Sequence, residues 1–395
     1  MKIRRRDFVK ALAKGVPGVL LLNTLPTSAL AAAPEEKDII YRTLGRTGIR
    51  LPLISAGIIP SDNLRFCRTI FRSGILHFDS AHVYGRNSST VGQMLKEFGR
   101  DKFVISTKVL LPSDHTTGLY TDDATEELFF SQLDSELEHL GISCVDILYI
   151  HKPAIRENII NPKVLGWLKK AKETGKAKYI GTSNHGNQAA CIDAMIEAGV
   201  YDIALVATND QHLDGVDDAI NRAAAAGMGV IAMKGHAGGF LDKEKTQPVN
   251  KVAAVKWALQ NPNVCTITLT FRSYDDLDLH LPLMRNITMT ESERNDLKEF
   301  SHRAEYASLF CYGCRDCVAQ CPKNLPIPDA MRAYMYTYGY NDRSKALATL
   351  GKLDISSASC NDCETCVVKC RHNFSIGERM ADMCRLKENS TVNFA

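Results

Sequence analysis

The sequence predicts a (β/α)8 barrel followed by a small, mainly α-helical, cysteine-rich domain, and two observations carry that reading. Between residues 38 and 300, eight short β-branched or aliphatic runs alternate with longer segments of helical period, which suits a barrel of about 250 residues. Beyond them, nine of the 13 cysteines fall between Cys311 and Cys384. A doubly wound open sheet is the alternative for the first part, but no G-x-G-x-x-G follows the first run to support it.

The chain of 395 residues is 45% hydrophobic and 24% charged, as expected for one large globular domain and something smaller. Its formal charge of +3 is set by residues 1–33, where Lys2, Arg4, Arg5, Arg6, Lys10 and Lys14 stand against Asp7. Without them the body is close to neutral and slightly acidic, so no cationic field suggests nucleic acid as a partner.

Taken in order, the first element is a leader at 1–33. Arg5-Arg6-Asp7-Phe8-Val9-Lys10 precedes a weakly apolar stretch, Gly15 to Leu22, and a small-residue run, Ala29 to Ala33. Basic, apolar and small-residue regions in that order make an export signal, and the arginine pair resembles a Tat-type signal peptide. The apolar part is interrupted by Pro17, Asn23 and Pro26, too short for a stable transmembrane anchor. The expectation is a periplasmic protein, exported folded through the Tat translocon with its cofactors in place.

The eight runs are Leu53 to Gly57, Ile75 to Asp79, Phe103 to Lys108, Val145 to His151, Lys178 to Thr182, Ile203 to Ala207, Gly229 to Met233 and Val264 to Leu269. Helical segments lie between them, among them 124–140, 162–174, 187–198, 214–226 and 251–260. A barrel places its chemistry at the carboxyl ends of its strands. Asp79, Lys108 and His151 end the second, third and fourth runs, and Tyr84 lies in the loop after the second. A phenol is a poor acid at neutral pH, its ordinary pKa being about 10, so it needs a cation nearby to release a proton readily.

The segments Leu44-Gly45-Arg46-Thr47-Gly48, Phe78-Asp79-Ser80-Ala81-His82-Val83-Tyr84-Gly85, Ser106-Thr107-Lys108, Val145 to His151 and Gly175 to Asn184 resemble, in order, the aldo/keto reductase family. The resemblance implies a tetrad of Asp79, Tyr84, Lys108 and His151 acting on a small-molecule carbonyl or alcohol substrate. In it Tyr84 is the general acid, Lys108 lowers its pKa, Asp79 keeps Lys108 charged, and His151 orients the substrate. NADP(H) is the implied cofactor, with Ser183 and Asn184 at its carboxamide and Arg272 at a phosphate, and Lys234 as a further cofactor or substrate contact. The pattern is altered around that site. Leu205 and Thr208 stand where a Gln and a stacking aromatic are expected, and Phe271 replaces a usual Gly.

The second domain, 305–384, holds two runs: Cys311-x2-Cys314-x2-Cys317-x3-Cys321-Pro322 and Cys360-x2-Cys363-x2-Cys366-x3-Cys370. Zinc sites use two separated C-x2-C pairs, and disulfides would be allowed after export. The triple spacing is instead that of bacterial ferredoxins. By that resemblance, Cys311, Cys314, Cys317 and Cys370 hold one [4Fe-4S] cluster and Cys360, Cys363, Cys366 and Cys321 the other. Arg371 stands where a Pro would follow the second run. Residues 328–353 between the runs read as helices with Ala330, Met331, Tyr334 and Met335 on one face. This predicts a helical ferredoxin-like iron–sulfur domain, with 385–395 as a tail.

The functional expectation is an exported oxidoreductase of the aldo/keto reductase type, whose two clusters exchange electrons with a redox partner protein. The alternatives are an NADP(H)-dependent reductase with structural clusters, and a non-catalytic electron-transfer or docking subunit.

Overall fold

In the computed structural model the described residues are 38–57, 63–85, 87–211, 215–301, 309–360, 363 and 365–391; the leader at 1–33 lies outside them. The chain enters through a hairpin, β1 (Tyr41–Thr43) antiparallel to β2 (Arg50–Pro52), which the apolar pattern did not announce. Its turn lies against the start of a later strand: Gly45 has φ +49° and an added Cβ would stand 2.3 Å from the Gly229 amide nitrogen. From β1, the Arg42 guanidinium donates to the carbonyls of Leu259, Asn261 and Val264 at 2.9, 3.1 and 2.6 Å.

Eight parallel strands follow: β3 (Ile54–Ala56), β4 (His77–Asp79), β5 (Val104–Val109), β6 (Val145–His151), β7 (Ala177–Asn184), β8 (Ile203–Ala207), β9 (Gly229–Met233) and β10 (Val264–Leu269). They close in that order, with β10 pairing β3. Closure excludes the open sheet. The strands read as continuous apolar runs because a closed parallel sheet is covered on both faces; β6, β8, β9 and β10 are buried at every position.

Helices Glu126–Leu140, Pro162–Glu173, Gln188–Ala198, Val216–Ala225 and Lys251–Ala258 lie at the predicted segments. Side chains that satisfy otherwise orphaned amides start several of them: Thr125 accepts from Leu128, Asn250 from Ala253, and Asn161 from Lys163 and Val164, ahead of Pro162. Each such cap is worth ~1 kcal/mol. Two cores result. One lies between the helices and the outer strand faces, around Phe129, Leu133, Leu148 and Leu168. The other fills the barrel with Tyr149, Leu205 and Met233 and continues without a break into the cysteine module through Phe310, Tyr334, Tyr336 and Met383.

In the module, helix Ile327–Tyr334 runs through a π-helical turn, Met335–Gly339, toward helix Arg343–Leu350. Ala330, Met331, Tyr334 and Met335 are all buried, as their spacing predicted. The last helix, Ile376–Thr391, takes in 385–391 of the residues read as a tail. They are docked: Lys387 Nζ donates to the carbonyls of Leu353 and Ile355 at 2.7 and 3.1 Å, and Glu388 accepts from Ser357. A polar composition hid this, because each polar group finds its partner on a distant segment. Among the described residues, no helix is long and apolar enough to cross a membrane.

Candidate active site

The site begins with His77 on β4, whose ring is fully buried and whose Nε2 is 2.9 Å from Ser106 Oγ on β5. Burial pushes His77 down to about 4, so it is neutral at physiological pH. Ser106 in turn donates to Asp79 Oδ1 at 2.6 Å. The other oxygen of Asp79 takes Lys108 Nζ at 2.5 Å, and Lys108 also donates to the Ser80 carbonyl at 2.7 Å. These strands stand side by side in register, Asp79 opposite Ser106. Side chains whose sequence separation is near 30 residues therefore meet.

Both members of the pair are buried, with side chains 2% and 7% exposed. Burial pulls the Lys108 ammonium below its ordinary value, and the Asp79 carboxylate acts in the opposite direction. Behind the pair, the Glu136 carboxylate is 1% exposed and accepts from Thr107 and Ser88 at 2.9 Å each. Sequence reasoning missed His77, Ser106 and Glu136. Ser106 stood in the quoted segment next to Lys108, but Glu136 looks like any acidic residue on a helix.

Tyr84 ends a single 3-10 turn, His82–Tyr84, directly after β4. The Lys108 ammonium is 5.4 Å from its ring centre, and the His151 ring lies edge-on to it at 6.2 Å. All four members of the tetrad thus gather at one end of the barrel. One expectation is corrected: Lys108 does not bring the phenol of Tyr84 down. Burial raises it, with the charges of Asp79 and Tyr336 adding to the effect. Tyr84 is therefore held as a neutral O–H. His151 is kept neutral by burial and by the cations Lys152 and Lys108, and neither ring nitrogen has a hydrogen-bond partner.

The cysteine module covers this end. Its Tyr312 carbonyl accepts from the Asn187 amide at 2.7 Å in the loop after β7, and its Gly339 carbonyl accepts from Gly239 at 2.7 Å in the loop after β9. Contact at the first point is so close that a Cβ on Gly186 would stand 2.8 Å from the Tyr312 oxygen. In the loop after β5, His115 pairs with Asp329 at 2.8 Å.

The four expected nucleotide contacts do not converge. Ser183 and Asn184 end β7 with no exposed surface. Ser183 Oγ is 3.4 Å from His185 Nε2 and 3.9 Å from Met233 Sδ, while the Asn184 amide donates to Pro153 and accepts from Thr182. Lys234 points under Tyr336 and Tyr340 of the module. Arg272 is exposed after β10, its backbone amide held by Asp276. Ser183 and Asn184 thus lie at the predicted strand end, engaged with neighbouring protein groups, and Arg272 lies on the exposed rim.

The cysteines do converge. None of the eight is in a disulfide, and they line two hollows. Cys311, Cys314, Cys317 and Cys370 surround one, with Pro328, Met331 and Phe374. Cys321, Cys360, Cys363 and Cys366 surround the other, of about 210 Å³, with Leu325, Ile327, Val368 and Met380. The same grouping governs their electrostatics: Cys317 feels Cys311, Cys314 and Cys370, and Cys360 feels Cys363, Cys321 and Cys366. Among the described residues no three such groups close on a single ion; the thiols are spread round each hollow. A [4Fe-4S] cluster asks for four spaced thiolates in an apolar shell, and both quartets fit it. Cys384, buried on the last helix, stands outside both.

A family model described as the aldo/keto reductase family matches residues 53–266, and one described as a 4Fe-4S dicluster domain matches residues 310–374. L-glyceraldehyde 3-phosphate reductase of Escherichia coli (strain K12) is 33% identical over 160 residues, 37% of this chain and 45% of that protein. The NADP(+) aldo-keto reductase yakc of Schizosaccharomyces pombe is 34% identical over 113 residues, 28% of this chain and 33% of that protein. The chain thus spans less than half the length of these curated relatives. Among solved structures, the aldo-keto reductase AKR11C1 from Bacillus halodurans aligns with a TM-score of 0.54 at 16% identity, over 66% of this chain and 96% of that one, a likeness of fold. With a matching family model over most of the barrel and the tetrad gathered at its mouth, the chain belongs to the aldo/keto reductase family and carries a 4Fe-4S dicluster domain beyond it.

Proposed function

We propose that this chain is an exported oxidoreductase that interconverts a carbonyl and an alcohol, with Tyr84 giving the proton to the carbonyl oxygen. In this reading the two clusters exchange electrons with a redox partner protein. The observation that carries it is the buried Lys108–Asp79 contact beside Tyr84 and His151, covered by the module that holds the cysteines.

The chain's own residues divide the work. Ser106 and the Ser80 carbonyl hold the ion pair in one geometry. Tyr84, kept protonated by burial, offers its O–H to a carbonyl oxygen, and the Lys108 ammonium lies 5.4 Å from the centre of the ring that is left as a phenolate. His151, neutral and without a partner, supplies an N–H to the same oxygen and sets its position. The Lys108–Asp79 pair is buried, so these two charges act in a medium of low dielectric. When bound, a [4Fe-4S] cluster supplies electrons one at a time; forming the alcohol takes two electrons and a second proton at carbon, or a hydride from a nicotinamide, in addition to the Tyr84 proton.

Anaerobically purified protein is expected to contain about eight iron and eight sulfide per chain. Replacing Cys311 or Cys360 by serine should each remove roughly half by elemental analysis; iron near zero in the parent protein ends the electron-transfer reading. The export signal is tested by fusing residues 1–33 to a reporter. Arg5→Lys with Arg6→Lys should abolish export, and normal export of that variant would exclude a Tat route.

The second reading, an NADP(H)-dependent reductase with structural clusters, is favoured by the placement of Ser183 and Asn184 at the end of β7 and by the printed name of the yakc relative. Anaerobic mixing with NADPH separates the two. Nicotinamide oxidation at a rate untouched by Cys360→Ser would establish the second reading, and no oxidation would leave the first.

A further inference from the structure

The mouth of the barrel gathers several basic side chains, of which Arg332 has a nearby carboxylate, Asp329, while Lys234 has no hydrogen-bond partner. Lys152 and Lys234 directly follow β6 and β9, and both occupy left-handed backbone, at φ 64° and 57°. A non-glycine residue takes that conformation only where its surroundings impose it. Lys234 Nζ is buried with no hydrogen-bond partner. It lies 5.9 and 5.8 Å from the ring centres of Tyr336 and Tyr340, which the π-helical turn of the module places above it. Lys345 Nζ approaches the same Tyr336 ring at 4.7 Å. Arg332 is on the helix leading into that turn, with Nε 3.7 Å from Asp329 Oδ1.

These groups act on one another chiefly as like charges. The leading influences on Lys234 after burial are Arg332, Lys345 and Lys152. Lys152 is pushed down to about 7 by burial, with Arg332, Lys345 and Lys352 adding to it and Asp329 opposing. His151 and His185 stand beside them, ring centres 5.3 Å apart, and His185 Nδ1 also lacks a partner. Burying an ammonium among like charges is costly unless an anion completes the site.

We propose that Lys152 and Lys234 of the barrel, with Lys345 and Arg332 of the module, form an anion-binding site that receives a carboxylate or phosphate carried by the carbonyl substrate. The anion would stand next to His151, so the substrate's carbonyl can reach Tyr84; this part rests on the reading of Tyr84 as the acid. Barrel and module each contribute charges, so the site exists only when the two are docked. An arriving anion favours the charged form of Lys152 against Arg332, Lys345, Lys352, Lys234 and His151. Binding therefore takes up a proton, and affinity falls as pH rises through about 7.

The test is calorimetry on the full chain with its clusters, titrating inorganic phosphate, pyruvate and, as a neutral carbonyl, acetone. Phosphate and pyruvate should bind and acetone should not, and pyruvate, whose own charge is constant over this range, should bind more weakly at pH 8 than at pH 6. Lys234→Met should weaken phosphate at least about tenfold, and Lys345→Gln, at an exposed position, should weaken it severalfold. Should Lys234→Met fail to fold, Lys345→Gln decides. No binding of either anion, or binding unchanged in these variants, overturns the site. If NADP(+) displaces phosphate while pyruvate binds no better than acetone, the site serves the nucleotide and its assignment to substrate is wrong. Tyr84→Phe should still bind phosphate, so loss of turnover in that protein bears on the acid and not on the anion site.

Discussion

Replacing Tyr84 by phenylalanine is expected to lower turnover of a carbonyl substrate about 10²- to 10⁴-fold, the usual contribution of a positioned general acid. Fold and iron content should not change. The phenyl ring keeps the contact with His151 and the cation at 5.4 Å; only the O–H is lost. Because burial holds the phenol neutral, the residue works as an acid over the whole neutral range. The parent protein's rate should therefore show no loss from Tyr84 deprotonation up to pH 9. Single-turnover kinetics across that range checks both points. A Phe variant with parental turnover would remove Tyr84 from the chemistry.

Breaking the pair beneath it should have the largest effect on stability. Asp79→Ala leaves the Lys108 ammonium buried with only the Ser80 carbonyl as acceptor, and removing one partner of a buried pair typically costs about 3–5 kcal/mol. Both tryptophans, Trp167 and Trp257, lie on barrel helices, so their fluorescence reports barrel unfolding in guanidinium. The midpoint of Asp79→Ala should fall well below that of the parent. The double variant Asp79→Leu with Lys108→Met should recover much of the loss while remaining inactive, since no charge is then stranded. An unchanged midpoint in Asp79→Ala would mean that the pair is not desolvated.

Most of the barrel was legible because its signal is local and repeated. A strand buried on both faces must be apolar throughout, and a helix between two strands must carry a 3.6-residue stripe, so each element announces itself within a dozen residues. The strand ends then located Asp79, Lys108 and His151 without further information. The hairpin at Tyr41–Pro52 was missed because its strands are three residues each and its support, Arg42 on the carbonyls of 259–264, comes from across the chain. The final helix was read as a tail for the same reason.

The protonation of the site was not legible. Proximity of Lys108 argued for an acidic phenol, yet burial and the charges of Asp79 and Tyr336 push it the other way. The nucleotide contacts show a similar limit: Ser183 and Asn184 are present at the right strand end, but the partners that consume Asn184 are Pro153 and Thr182.

By itself the sequence placed a carboxylate, a phenol, an ammonium and an imidazole at or just after successive strand ends, and eight cysteines in two spaced runs. Those are properties of short spacings. Only the tertiary structure decided how the two parts meet, with Tyr312 and Gly339 on the rim loops and Tyr336 over Lys234. The physical reason is that charge and burial depend on everything within several ångströms, including segments more than a hundred residues away. Docking of the module desolvates the phenol and crowds the rim lysines.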